Sequence, residues 1–169
     1  MGRRRGEVAG VAEADHCYLI ALGSNQRHQT FGSPRMVVAT AMDLLDGTAG
    51  TVTSRSRIID SAPVGPSQRR FANAAILLET RLNPLSLLAV LQEAEVALGR
   101  RKLGQRWRAR VLDLDIVMWS GGSVTQPDLT VPHPLFRERG FVLGPASQIA
   151  PQWRDPRTGL TLRQLAAHL

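Results

Sequence analysis

Residues 71–80, FANAAILLET, decide the architecture of this chain. The segment is apolar on both faces, as a central strand would be, although its alanines make a helix the alternative. Upstream, the β-branched residues 51–60 predict another strand. A loop rich in proline, glycine and serine (SAPVGPSQRR, residues 61–70) separates the two. We therefore expect two successive strands in the middle of the chain.

One helix is predicted on each side of these strands. Proline is favoured in the first turn of a helix, and glycine is favoured just beyond the last. The first helix should therefore begin at Pro34 and end near Gly47, and the second should begin at Pro84 and end at Gly99. Each carries apolar residues at helical spacing, which indicates one buried face.

The outermost strands complete the order of elements. Residues 17–22 (CYLIAL) form a short apolar run closed by a turn at 23–25, and residues 111–119 (VLDLDIVMW) predict a strand that turns at 121–122. The order β-α-β-β-α-β is the split βαβ arrangement of ferredoxin-like folds. We predict an α+β domain with an antiparallel sheet, helices packed on one side of it, and extra C-terminal elements that include a helix at 162–169.

Composition is ordinary for a globular protein. With 169 residues and 43% hydrophobic content the chain can bury one core, and we expect a disordered leader at 1–16 and a single domain at 17–169. A single cysteine, Cys17, excludes an intramolecular disulfide framework and suits a reducing compartment. No apolar run approaches the ~20 residues of a membrane span, and the basic N-terminus lacks the apolar region of a signal peptide. These features predict a cytoplasmic protein without a membrane partner.

The net charge of +7 is concentrated in one short segment. Six cations crowd between positions 100 and 110: Arg100, Arg101, Lys102, Arg106, Arg108 and Arg110. Such a balance favours a polyanionic partner, which could be nucleic acid, an anionic membrane or a phosphate-rich ligand. Trp107 in the same segment could cover a planar ring. The alternatives are a nonspecific nucleic-acid patch and a solvated basic loop.

Asp113 and Asp115 are the strongest functional signal. Side chains two residues apart on a strand point to one face, so both carboxylates project together while the leucines beside them face the core. Two hard oxygen ligands beside a cluster of arginines suit magnesium that carries the phosphates of a nucleotide. The alternative is a half-exposed strand with two solvated carboxylates.

Other candidates are weaker in isolation. Phe71 and Asn73 share a strand face and would suit a flat heterocycle, although a core phenylalanine and a backbone-bonded asparagine are the simpler interpretation. Gln92 and Glu95 lie on one side of the second helix, where an exposed polar face is the simpler interpretation. His133 lies between two prolines, and a lone histidine is usually structural.

Taken together, the segments resemble the 6-hydroxymethyl-7,8-dihydropterin pyrophosphokinase family, from residue 18 to the C-terminus. Each motif is weak alone, but their order and spacing are specific. The residues that carry the resemblance are 21–25 (ALGSN), 62–66 (APVGP), 71–75 (FANAA), 92–95 (QEAE), 110–116 (RVLDLDI), 129–134 (LTVPHP) and 139–141 (RGF).

The resemblance implies a ferredoxin-like monomer that transfers pyrophosphate from ATP to the hydroxyl of 6-hydroxymethyl-7,8-dihydropterin in folate biosynthesis, with no nucleic-acid partner. Asp113 and Asp115 would hold two Mg²⁺ ions. The further residues implied in catalysis are Arg100, Lys102 and Arg110. Those implied at the pterin are Ser61, Val64, Gly65, Phe71, Asn73, Trp107 and Phe141. Those implied at ATP are Gln92, Glu95, Arg100, Trp107, Arg110, Ile116, Thr130, His133 and Arg139.

Four positions depart from the family pattern. Arg108 stands where a glycine is usual, Ala109 replaces a frequent proline, Ile59 replaces a common aromatic residue, and Asp128 sits where some members carry a basic ATP contact. These changes bear on loop dynamics and ATP affinity and leave the acidic pair intact. We therefore expect an active enzyme.

Two alternatives to the enzyme stay open. The first is a non-catalytic relative that binds pterin or nucleotide, which the intact acidic pair argues against. The second is a basic RNA-binding module, because RNA-recognition domains share the βαββαβ order. Such modules display several aromatic residues on their central strands, whereas residues 71–80 contain one and the whole chain is 5% aromatic.

Overall fold

An antiparallel sheet forms the centre of the molecule. The computed structural model describes residues 15–63, 68–99 and 111–169. The strands of the sheet are β1 (His16–Ser24), β2 (Thr51–Arg55), β3 (Ile59–Ser61), β4 (Phe71–Thr80) and β5 (Asp113–Trp119). Their order is β2-β4-β1-β5, with β3 also paired to β4. The central position predicted for residues 71–80 is confirmed.

Two predicted strand boundaries are corrected. Residues 51–60 form two strands. Ile59 lies four positions after Arg55, but their partners on β4, Asn73 and Ile76, are only three positions apart. The extra residue breaks the ladder in the manner of a β-bulge. The turn predicted at 23–25 begins later, since Gly23 and Ser24 still belong to β1 and pair with β4.

The first two helices cover one face of the sheet. Helix α1 (Pro34–Thr48) is capped by the Ser33 side chain. Helix α2 (Pro84–Ala97) is capped by Asn83, whose Oδ1 accepts a 2.9 Å hydrogen bond from the Ser86 N–H. Regular helical geometry in α1 stops before Gly47, whose φ of 95° is in the left-handed region. The helices bury a core that includes Tyr18, Ile20, Leu22, Ile76, Leu87 and Leu91.

Further elements after β5 cover the opposite face, so the prediction of helices on one side is wrong. A hairpin of β6 (Val124–Gln126) and β7 (Leu129–Val131) precedes a 3₁₀ turn at Phe136–Glu138, α3 (Gly140–Ile149) and α4 (Leu162–Ala167). Because β1 and β4 are apolar on both faces, the second face also needs a covering layer. The residues of this second core include Leu19, Ala21, Ala75, Met118, Phe136 and Leu143.

A buried ion pair stabilises the C-terminal layer. The Nε and Nη2 atoms of Arg137 donate to the two carboxylate oxygens of Asp155 at 2.7 and 2.5 Å, and Asp155 is fully buried.

Within the described ranges, no helix is both long and apolar enough to cross a membrane.

Candidate active site

A row of residues crosses three strands on the face that α3 covers. Gly23 on β1 pairs with Asn73 on β4 on one side and with Asp113 on β5 on the other. Paired residues point to the same face, and neighbouring strands lie about 4.8 Å apart, so roughly 10 Å of sheet separates the backbones that carry the amide and the carboxylate. A β-carbon at Gly23 would lie 3.3 Å from Asn73 Oδ1. Because glycine has no side chain, no atom of residue 23 fills the space between Asn73 and Asp113 on this face.

The amide end of this row is anchored by a serine. Asn73 is buried, and its Nδ2 atom donates a 2.7 Å hydrogen bond to Ser61 Oγ. Ser61 in turn pairs with Phe71, so the serine, the amide and the ring share one sheet face. The structure brings together these three residues, for which the family resemblance implies contact with the pterin.

Phe141 lies on the same side of the sheet. It is the second residue of α3, it is half-buried, and it packs against the core between α3 and the sheet. The guanidinium carbon of Arg139 lies 5.7 Å from the centre of the Phe141 ring. One aromatic ring therefore comes from β4 and the other from α3, which suits a flat ligand between the two layers.

Asp113 and Asp115 project onto this face as their spacing predicts. Both are half-buried, and they alternate with the buried Leu112, Leu114 and Ile116. In residues 15–63, 68–99 and 111–169, no group of three or more His, Cys, Asp or Glu side chains could enclose a metal ion. The donor set of two neighbouring carboxylates is compatible with Mg²⁺, because that ion usually keeps water and substrate phosphates as its remaining ligands.

Glu95 holds the strand that carries these carboxylates. It is 2% exposed in the last turn of α2, and its Oε1 atom accepts a 2.8 Å hydrogen bond from the Leu114 N–H. Among the strands that the structure describes, β5 pairs with β1 and is the last in the order of the sheet. The side chain of Glu95 thus takes the place of a neighbouring strand at Leu114. Its predicted contact with ATP stays a prediction.

Two backbone hydrogen bonds fix the orientation of His133. Its backbone N–H donates to Val117 O at 2.9 Å, and its Nδ1 atom accepts from the Leu135 N–H at 3.2 Å. Burial lowers the pKa of His133, the Arg139 guanidinium lowers it further, and the Asp113 carboxylate partly opposes both. With Nδ1 acting as an acceptor, the ring proton lies on Nε2, which can donate to a phosphate oxygen.

A cavity of about 310 Å³ opens beside β5. Its apolar lining comes from Leu88, Leu114, Ile116 and Leu129. Its polar lining comes from Asp115, Asp128, Thr130 and His133. The structure thus brings three of the predicted ATP residues, Ile116, Thr130 and His133, to the same cavity as one aspartate of the acidic pair.

The remaining predicted site residues fall into two groups. Gln92 is exposed on α2, on a part of the helix that the cavity lining does not include. Six predicted residues lie outside the described ranges: Val64, Gly65, Arg100, Lys102, Trp107 and Arg110. Arg108 and Ala109, which depart from the family pattern, also lie outside them.

Sequence reasoning missed two features of the site. Gly23 was assigned to a turn, although it is the gap in the row between Asn73 and Asp113. The β6–β7 hairpin, which brings Asp128 to the cavity, was not predicted. Proline and aspartate at 127–128 between two short β-branched runs are a turn signal that could have located this hairpin.

Comparison with known proteins assigns the family. The family model described as 7,8-dihydro-6-hydroxymethylpterin-pyrophosphokinase (HPPK) matches residues 19–151. A 2-amino-4-hydroxy-6-hydroxymethyldihydropteridine pyrophosphokinase from Methylorubrum extorquens is 39% identical over 134 residues, which cover 78% of this chain and 81% of the relative. The enzyme of that name from Bacillus subtilis is 40% identical over 135 residues, covering 79% of this chain and 77% of the relative.

Other matches extend beyond this chain. A pyrophosphokinase of the same name from Synechocystis is 41% identical over 105 residues, which are 62% of this chain and 53% of the relative. The crystal structure of a Plasmodium falciparum HPPK-DHPS triple mutant superposes with a TM-score of 0.73 at 14% identity, over 94% of this chain and 45% of that chain. The chain thus spans about half the length of these two proteins, and the structural match supports the fold alone. On the family model and the sequence relatives, this chain belongs to the 7,8-dihydro-6-hydroxymethylpterin-pyrophosphokinase family.

Proposed function

We propose that this chain transfers the pyrophosphoryl group of ATP to the hydroxymethyl oxygen of 6-hydroxymethyl-7,8-dihydropterin in folate synthesis. Its family and the names of its relatives support this reaction. The observation that carries the proposal is the row Asn73, Gly23 and Asp113, which brings an amide and a carboxylate to the same sheet face with only a glycine between them.

The pterin would lie at the amide end of this row. The Asn73 amide offers a donor and an acceptor to the edge of a flat heterocycle, and the bond to Ser61 fixes its orientation. Phe71 and Phe141 would cover the two faces of the ring. The backbone of Val64 and Gly65 would complete this pocket, and Trp107 would contribute from the basic segment.

ATP would occupy the cavity beside β5, with its phosphates toward Asp115 and His133. The family resemblance implies ATP contacts from Gln92, Glu95, Ile116, Thr130 and Arg139, of which Ile116 and Thr130 line this cavity. The Nε2–H group of His133 would donate a hydrogen bond to a phosphate oxygen. The arginines and lysine at 100, 102 and 110 would neutralise the negative charge that the transferred group carries.

In the reaction the hydroxymethyl oxygen forms a bond to the β-phosphorus of ATP. The bond from that phosphorus to the oxygen bridging the α- and β-phosphates breaks, AMP leaves with the bridging oxygen, and the hydroxyl proton is lost to water. Two Mg²⁺ ions, held by Asp113 and Asp115, would supply charge neutralisation for the phosphates and acidify the hydroxyl. The chain's own contribution is to hold the hydroxyl and the phosphate in line at short distance. We further propose that the protein acts as a monomer in the cytoplasm.

The test is release of AMP from ATP and Mg²⁺ in the presence and absence of the hydroxymethyl-dihydropterin. The Asp113→Ala/Asp115→Ala double variant is compared with Asp15→Ala, which removes an exposed carboxylate at the far end of β1. Pterin-dependent AMP release that only the double variant loses supports the reaction. Pterin binding without AMP release in the unaltered protein would identify a non-catalytic relative.

A further inference from the structure

Strand β3 carries Ser61, the residue that bonds the Asn73 amide, but its own pairing in the sheet is short. β3 has three residues, and among the strands that the structure describes it pairs with β4 alone. The extra residue between β2 and β3 interrupts the ladder against β4. The position of β2 therefore does not fix the position of β3, and contacts from other elements have to.

Arg35 of α1 supplies such a contact. Its Nη2 atom donates a 2.9 Å hydrogen bond to Ile58 O, just before β3, and its Nη1 atom lies 3.2 Å from Asp60 Oδ1, in the middle of β3. Asp60 pairs with Ala72, which belongs to the core under α1, whereas the next residue, Ser61, points to the opposite face. Arg35 therefore holds β3 from the face opposite to the Ser61 hydroxyl.

The position of Arg35 in α1 runs against the preference of the helix itself. Arg35 is the second residue of α1, where the positive end of the helix macrodipole disfavours a cation. A guanidinium is suited to donate to a carbonyl and a carboxylate at the same time, because its N–H groups form a planar fork. The contact with β3 thus gives a physical reason for an arginine at the start of this helix.

The same contacts continue to the proposed pterin site. Asp60 is followed directly by Ser61, whose Oγ atom accepts the 2.7 Å hydrogen bond from Asn73 Nδ2. Asn73 is 4% exposed, so water cannot readily replace a lost partner of its amide. A shift of β3 would therefore change the orientation of the Asn73 amide.

We propose that Arg35 is a positioning residue for the pterin: it fixes β3 so that Ser61 holds the Asn73 amide in its binding orientation. The inference rests on the proposed function for the identity of the ligand at Asn73. In this role Arg35 does not touch the pterin and acts through Ser61.

The first measurement is the dissociation constant of 6-hydroxymethyl-7,8-dihydropterin, by calorimetry on the full chain with Mg²⁺ and α,β-methylene-ATP. This analogue carries a methylene group in place of the oxygen that would leave with AMP, so the pterin binds without being consumed. Arg35→Ala should raise the constant about threefold, since the loss acts through one hydrogen bond. Arg35→Lys keeps the charge without the planar fork and should give a smaller rise.

Arg55→Ala is the matched control. Arg55 also links α1 to an edge of the sheet, because it pairs with Asp43 and Asp46 of α1, but it lies on β2 and does not contact β3. It should leave the pterin constant unchanged. An equal rise in the Arg55→Ala and Arg35→Ala variants would reflect a general loosening of α1 and would overturn the proposal, as would no rise in Arg35→Ala.

A double-variant cycle tests whether Arg35 acts through Ser61. If it does, Arg35→Ala should have no further effect on pterin affinity in a Ser61→Ala background, because coupled residues are not additive. A threefold rise in both backgrounds would mean that Arg35 acts by another route, and the proposal would be wrong. In steady-state kinetics Arg35→Ala should raise the KM for the pterin and leave kcat and the KM for ATP unchanged, which a general loss of stability would not produce.

Direct binding also separates this inference from the proposed reaction. A pterin affinity that depends on Arg35 through Ser61, in a protein that releases no AMP from ATP, would support the positioning role and reject the pyrophosphokinase reaction. Pterin-dependent AMP release with an unchanged pterin affinity in Arg35→Ala would reject the positioning role alone. If the unaltered protein bound no pterin, both would be rejected.

Discussion

The Oε1 atom of Glu95 lies 2.8 Å from the backbone nitrogen of Leu114, the residue between the two aspartates of β5. The bond joins the end of α2 to β5, which is the last strand in the order of the described sheet. It therefore helps to fix the part of β5 that carries Asp113 and Asp115.

Glu95→Ala should lower both stability and metal affinity, because it leaves the Leu114 N–H buried without this acceptor. We expect the free energy of unfolding to fall by about 1–3 kcal/mol and the Mg²⁺ concentration needed for half-maximal rate to rise several-fold. Urea unfolding and a magnesium titration measure the two effects.

Glu95→Gln is the matched variant, since its amide oxygen can still accept from Leu114. It should retain most of the stability and the magnesium response. A large rise in KM for ATP in Glu95→Gln, with the magnesium response unchanged, would show that Glu95 acts on the nucleotide directly.

Gly23→Ala should weaken pterin binding more than it weakens the fold. The new methyl group would lie 3.3 Å from Asn73 Oδ1, a tight contact that must displace the amide. We expect the KM for the pterin to rise about tenfold or more while the KM for ATP changes little, since one misplaced hydrogen bond accounts for such a loss. Steady-state kinetics with each substrate varied in turn measures this.

Gly144→Ala in α3 serves as its control, because a methyl group there meets only Ile59 Cδ1 at 3.9 Å, an ordinary contact. It should preserve both KM values and raise helix stability by about 0.5–1 kcal/mol. Equal pterin KM values in the two alanine variants would contradict the role given to Gly23.

Ser61→Ala should loosen the amide that the pterin would contact. The variant removes the acceptor of the 2.7 Å bond from Asn73 Nδ2 and leaves the Phe71 ring in place. We expect the dissociation constant of the pterin to rise by about three- to tenfold, in line with one net hydrogen bond. Ser147→Ala, which removes a hydroxyl bonded to Gly144 O within α3, is the comparison. An unchanged pterin affinity in Ser61→Ala would argue against Asn73 as a ligand contact.

Asp155 should make the fold sensitive to acid. Burial opposes its ionisation, but hydrogen bonds from Arg137, Thr158 and the Arg157 backbone outweigh burial and lower its pKa to about 2 from 3.8. Because the folded pKa is the lower one, the stabilisation of about 2 kcal/mol is complete above pH ~4 and is lost as the pH falls toward 2.

Urea unfolding of the unaltered protein and of Asp155→Asn between pH 2 and 6 checks this contribution. The variant should be destabilised by about 3 kcal/mol at pH 6, where it leaves Arg137 partly buried without its carboxylate, and the difference should shrink as the pH falls. A difference that stays constant over this range would mean that Asp155 does not titrate as its environment implies.

Sequence alone was enough to predict the order β-α-β-β-α-β of the core, the central strand and the shared face of Asp113 and Asp115. These follow from local chemistry: proline, glycine and capping residues mark helix ends, and the two-residue period of a strand decides which side chains share a face. The family resemblance rests on the same local motifs, and the family comparison confirms it.

Tertiary structure decided which distant segments meet. The register of β1 against β4 and β5 places Gly23 between Asn73 and Asp113, and no local pattern encodes a register between strands some 50 to 90 residues apart. The second helical layer, the bond from Glu95 to Leu114 and the approach of Asp128 to the cavity likewise depend on packing between remote segments. Hydrophobic burial drives that packing and is non-directional, so the sequence pattern says which residues are buried but not which partners they find.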